Sequence, residues 1–179
     1  VNPEVKWPSI AAGTISKIVY GERRSVLDII IEIDESKEKN LEPIDKKNLS
    51  SKEEVKNFIK NNNLWPFFTQ RPFNKVVDPE DDPKCIIVSL ADSSPLANDL
   101  SFSIAEKKDH IVSALLNIKK LTDGNLYVAV RGDNFSFLSD YDFITLVQVE
   151  GPHPSGNVGV ILNRINPLNQ NEVVWTVQG

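Results

Sequence analysis

The residues best placed to do chemistry gather in VEGPHPSGNVGV, residues 149–160. Gly151, Gly156 and Gly159 suggest a phosphate cradle. His153, one of two histidines in the chain, suggests a proton relay, because an imidazole titrates near neutrality. A dinucleotide loop requires G-x-G-x-x-G, so that backbone N–H groups can approach a pyrophosphate. The glycines here are spaced differently, Pro152 and Pro154 have no N–H to donate, and no P-loop lysine follows. What remains is a strand-to-helix turn at the C-terminal edge of a sheet, the edge where open α/β sheets bind ligands. His153 is then either a relay or a ring that fixes the turn by bonding a carbonyl, and the second role is preferred.

Asp92, in LADSSPL (residues 90–96), closes an apolar run at the same kind of edge. It either faces a ligand or caps its own turn, the safer reading. DPEDDP, residues 78–83, lacks the spaced ligands and final Glu of a calcium loop and reads as a solvated connector. Cys85 is the only cysteine, which excludes an internal disulfide and a cysteine-based zinc site; it reads as a small buried hydrophobe. There is no G-x-S-x-G elbow and no Ser-His-Asp or Cys-His constellation. The ligand-binding candidates are therefore Asp92, Gly151, His153, Gly156 and Gly159, with no catalytic residue and no metal ligand assigned. In LWPFFTQRPFN, residues 64–74, Trp65, Phe67, Phe68, Arg71 and Phe73 form either a hydrophobic plug between domains or a partner surface.

These residues must be positioned by surrounding elements. Thr14–Tyr20 and Ser25–Ile33 read as an antiparallel hairpin, with Ile15, Lys17 and Val19 on one face and Ser16, Ile18 and Tyr20 on the other. GERR makes the turn, with Gly21 free to take positive φ. A lone hairpin is marginal, so its partner strands are expected upstream. Residues 35–49 are polar and read as a linker. Ser50 or Ser51 caps a helix whose apolar stripe is Val55, Phe58 and Ile59; from Ser51, Glu54 holds the capping-box position. CIIVSLAD, NLYVAVRG, FITLVQVEG and EVVWTVQ read as strands, and residues 106–121 as a helix with Ile111, Leu115 and Ile118 on one face. Strand, helix, strand makes a βαβ unit in a parallel sheet. The expected organisation is a β region at 1–34, the linker at 35–49, a helix and aromatic connector at 50–84, and a Rossmann-like α/β domain at 85–179.

Composition sets the outer bounds. A net charge of −5 and a pI near 5.1 argue against nucleic acid, which is held by clustered Lys and Arg. No apolar run approaches the roughly 20 residues needed to span a bilayer, and no signal peptide opens the chain. A first residue of Val and the lack of any Met suggest a piece of a longer protein.

Four stretches, taken in order, carry a resemblance: NPEVKWPSIAAGTISKIVYGERRSVLDIIIEID, LWPFFTQRPFNKVVDP, IIVSLADSSPLANDL and VEGPHPSGNVGVILNRINPLNQNEVVWTV. Together they resemble the A subunit of the bacterial sodium-translocating NADH:quinone reductase, and the R-P-F and G-P-H-P-[AS]-G elements make the likeness specific. The resemblance implies an α/β fold in two parts. A β-hairpin remnant of a biotinyl/lipoyl-carrier-like (barrel-sandwich) domain would precede a Rossmann-like parallel sheet with flanking helices. It implies a peripheral protein on the cytoplasmic face of the bacterial inner membrane, partnered by the other subunits and by ubiquinone. NADH, flavins, iron–sulfur centres and ubiquinone would be used elsewhere in the complex, and no cofactor would be bound by this chain, which alone would not be catalytic. Two departures stand out. The hairpin turn YGERRS offers no Lys for biotinyl or lipoyl attachment, and VILNRI, with Asn163 and Arg164, stands where many relatives carry histidines.

Overall fold

A computed structural model describes residues 5–37, 49–104 and 106–178. Most of the expected linker lies outside the described residues. Two compact units are present, residues 7–44 and the remainder.

The smaller unit is built on β1 (Gly13–Tyr20) and β2 (Val26–Ile33), paired antiparallel. The turn between them differs from the sequence expectation. Gly21 has φ −95°, whereas Arg23 and Arg24 take φ 54° and 60°. The hairpin closes through Gly21 N–H donating to the Ser25 carbonyl at 2.8 Å, which places the left-handed residues later in the turn. The two-face assignment also changes. Ile15 pairs with Ile31 and Lys17 with Ile30, leaving Ser16 as the extra residue of a bulge. Cross-strand partners share a face, so Ile15 and Ile31 join Ile18 and Ile29 rather than Lys17 and Val19.

The larger unit is a six-stranded sheet between helices. Its strands are β3 (Phe68–Arg71), β4 (Lys75–Val76), β5 (Cys85–Ser89), β6 (Leu126–Val130), β7 (Thr145–Gln148) and β8 (Val174–Gln178), in the spatial order β4-β3-β8-β5-β6-β7. β8, β5, β6 and β7 run parallel, and β3 and β4 add an antiparallel edge. The helices are α1 (Lys52–Asn61), α2 (Leu100–Ile104), α3 (Lys108–Lys119) and α4 (Val158–Ile165). The peptide bonds Arg71–Pro72 and His153–Pro154 are cis.

Burial follows the pleat. In β5, Ile86 and Val88 face one core while Cys85 and Ile87 face another, and all are buried. The first core receives Val55 and Ile59 from α1, Leu115 from α3, and an aromatic cluster. In that cluster Trp65 stacks on Phe68 at 5.8 Å between ring centres and meets Trp175 edge-on at 5.7 Å. The second face is covered by α4, through Val158, Ile161 and Leu162. Helices on both faces explain why β5 is a continuous apolar run. At the start of α1, Ser51 Oγ accepts from Glu54 N–H at 3.2 Å. The Glu54 carboxylate accepts chiefly from the backbone N–H and hydroxyl of Ser50, both at 2.7 Å, with the Ser51 backbone a lesser partner. Those bonds hold its pKa below the ordinary carboxylate value.

Candidate functional site

The chain proceeds from β5 to β6 and β7 on one side, then crosses back to place β8 on the other side of β5. Reversal of direction at β5 opens a crevice beyond the carboxyl ends of the strands, the usual ligand position in open α/β sheets. The loops after β5 and β7 meet there.

After β5 the chain passes through buried Ala91 and turns at Asp92, whose Oδ1 accepts from Ser94 N–H at 2.8 Å. That N–H bond is the main cause of a pKa below the ordinary Asp value, with the nearby His153 ring a smaller contributor. Ser93 is the junction between the loops. Its Oγ accepts from Gly156 N–H at 2.8 Å and lies 3.3 Å from His153 Nδ1.

The glycines of the second loop have separate reasons. Gly151 takes φ +99° as the chain leaves β7. A Cβ on Gly156 would lie 2.1 Å from the Ala91 carbonyl oxygen, so only glycine lets the loops cross this closely. Ser155 ties the loop to itself by donating from Oγ to the Gly151 carbonyl at 3.0 Å. The loop then enters α4 at Val158.

Beside this junction lies a cleft of about 320 Å³, lined by Asp92, Ser93, Asp99, Arg131 and Phe135 among others. Arg131 directly follows β6 and stands exposed in the wall. Asp99 is turned toward its own helix, accepting from the Ser101 hydroxyl at 2.6 Å and N–H at 2.9 Å. These bonds lower its pKa.

The arrangement limits the chemistry available. The Gly156 N–H that could have met a phosphate is committed to Ser93, and the prolines flanking His153 have none. Ser93 and His153 are close enough to exchange a proton. A hydrolytic triad also needs a group orienting the imidazole, and the hydrogen bonds of the described residues include no carboxylate bonded to His153. No cluster of three His, Cys, Asp or Glu suited to a metal occurs among the described residues. The polar groups that the cleft presents are the Asp92 carboxylate, the Ser93 hydroxyl and the Arg131 guanidinium.

Asp92, Gly151, His153 and Gly156 come together at this edge, while Gly159 lies on α4 and lines a different groove with Arg71. The aromatic candidates separate. Trp65 and Phe68 are buried, Phe67 is 55% exposed and Phe73 81% exposed. Trp65 donates from Nε1 to the Val77 carbonyl at 2.9 Å. Sequence reasoning alone does not single out Ser93 or Arg131. A signal for Arg131 exists, a charged residue immediately after a buried parallel strand. Ser93 requires knowledge of which loop crosses it.

Known proteins match along nearly the whole chain. The family model described as NqrA second alpha/beta domain matches residues 50–179. The A subunit of the Na(+)-translocating NADH-quinone reductase of Photorhabdus laumondii is 31% identical over 176 residues, covering 97% of this chain and 39% of that protein. The protein of the same name from Yersinia pestis is 31% identical over 178 residues, covering 98% and 40%. That of Hahella chejuensis is 32% identical over 177 residues, covering 97% and 39%. The chain thus spans about two fifths of the length of these curated relatives.

Proposed function

The chain belongs to the NqrA family, the A subunits of the Na(+)-translocating NADH-quinone reductases, and on that premise we propose that it is a docking element of such a complex. In this reading it sits peripherally on the cytoplasmic face of the bacterial inner membrane, binds other subunits, and helps frame a quinone site without a cofactor of its own. The match over nearly the whole chain carries the proposal. Two surfaces suit docking: exposed Phe67 and Phe73, and the apolar hairpin face bearing Ile15, Ile18 and Ile29. No helix among the described residues is long and apolar enough to cross a membrane. The cofactor-free reading is favoured by the second loop, whose Gly156 N–H is committed internally.

We read residues 1–34 as part of a carrier-like β domain whose turn, lacking Lys, serves docking rather than a swinging arm. Residues 35–49 then act as a linker, 50–84 as helix and aromatic connector, and 85–179 as the Rossmann-like domain. The test is co-purification with the remaining subunits of the complex, together with an absorption spectrum of the purified chain. Retention by the partners and a spectrum free of flavin are expected. Failure to associate would overturn the docking role, and a stoichiometric flavin spectrum the cofactor-free one.

A second reading has its own observation, the cleft beside Asp92 with Arg131 in its wall. There the α/β unit would bind a small ligand, quinone or nucleotide. Photo-crosslinking with a quinone analogue and with an azido-nucleotide tests it; labelling by neither at the loops of Asp92 and His153 would remove it.

A further inference from the structure

A second groove, of about 280 Å³, is lined by Arg71, Pro72, Gly159, Leu162, Asn163, Pro167 and Leu168. It shares no lining residue with the cleft beside Asp92. We propose that this groove binds a small organic carboxylate, with Arg71 holding the carboxylate and the apolar wall holding the body of the molecule.

Arg71 is the motivation. It ends β3 and pairs in register with Val174, the first residue of β8. Its Nε is buried with no hydrogen-bond acceptor among the described residues. A buried donor left unpaired is costly, and a guanidinium presents its donors as a planar fork matched to two carboxylate oxygens. Among the described residues no carboxylate meets its Nε. Glu172, on the loop that supplies Pro167 and Leu168, accepts from Lys84 Nζ at 2.8 Å, from Asn169 N–H at 2.8 Å and from Asn169 Nδ2 at 3.1 Å. Glu172 is thus already occupied, and those bonds include none to Arg71.

The rest of the lining selects the ligand class. Pro72, Leu162, Pro167 and Leu168 are apolar, and Asn163 adds one amide. Arg71 is the one cation in the lining, which suits a monoanion with a hydrophobic body better than a dianionic phosphate. Space is available where a ligand would lie: no atom stands within 4 Å of a Cβ built on Gly159. The volume falls just below the usual range of small-molecule pockets, about 300–1,000 Å³, which suits a single ring or a short chain.

The probe is benzoate, titrated into the whole chain and followed through backbone amide NMR signals, with neutral benzamide and inorganic phosphate in parallel. Saturable shifts centred on Arg71, Asn163 and Leu168 are expected with benzoate and not with benzamide over the same range. Arg71→Gln should weaken benzoate binding by about tenfold or more, the loss expected for a charge-assisted pair. Gly159→Leu should block the groove and abolish the shifts while leaving Arg71 in place, which decides the matter if Arg71→Gln fails to fold. The proposal is overturned if benzoate causes no saturable shift, if benzamide binds equally well, or if both variants retain wild-type affinity. Tighter binding of phosphate at the same amides would overturn the assigned ligand class.

Discussion

β2 and β5 are written in nearly the same alphabet, VLDIIIEI against CIIVS, yet they occupy opposite environments. Every residue of β5 is buried, whereas in β2 only Ile31 is even partly so. The difference lies in the neighbours. β5 has a strand on each side and helices on both faces, while β2 has one partner strand and no covering layer among the described residues of its own unit. Strand propensity is shared by both; burial is conferred by tertiary position. Isoleucine runs in this chain therefore mark strands without saying which strands hold the fold together.

Truncating one large side chain in each unit, and following urea unfolding, puts this contrast under the greatest load. Trp175→Ala, at a fully buried position against Trp65, should cost about 3–5 kcal/mol. Ile29→Ala, 54% exposed on the hairpin, should change the same transition by less than about 0.5 kcal/mol. Similar losses would mean that the hairpin is as structurally committed as the sheet. Gly156→Ala comes next, with a destabilisation of about 1–3 kcal/mol, because its Cβ would be driven into the Ala91 carbonyl. A wild-type midpoint would show that the loop crossing yields easily.

Smaller effects refine the contrast from the hairpin side. Arg23→Gly removes a side chain from the left-handed region and should slow amide exchange across β1 and β2, a gain of up to about 1 kcal/mol. Exchange in the larger unit should not change. The smallest effect is expected at Glu172, where Lys84 and the Asn169 amides depress the carboxyl pKa from 4.5 to about 2. A depressed carboxyl contributes stability that is present above its unfolded value and lost as pH falls through the folded one. Glu172→Gln should therefore lower the thermal midpoint slightly above pH 4.5, with the difference from wild type vanishing toward pH 2. A difference that stays constant across this window would assign the effect to packing instead.

Continuous apolar runs made β5, β6 and β8 legible from residue types alone, and Val55, Phe58 and Ile59 did the same for α1. β3 and β4 were not legible. Phe68–Arg71 is short and aromatic, lies between Pro66 and Pro72, and becomes a strand by pairing with Val174–Val177, about a hundred residues later. The bulge at Ser16 was hidden for a related reason, since register belongs to the pair of strands and not to either sequence. At the site, the glycines and prolines around His153 announced a turn, whereas the crossing of that turn over Ser93 depends on the return of the chain to β8.

Cys85 gives the sheet a clock. It is the one thiol in the chain, wholly buried on an inner strand, and burial raises its pKa so that little reactive thiolate forms at neutral pH. An alkylating reagent must wait until β5 separates from α4, so the rate of labelling measures how often the centre of the sheet opens. Fraying of the hairpin leaves that rate untouched, whereas fraying of β8, whose Val174 pairs with Cys85, raises it. A single mass shift over time thus reads the lifetime of the closed core directly, with no added label.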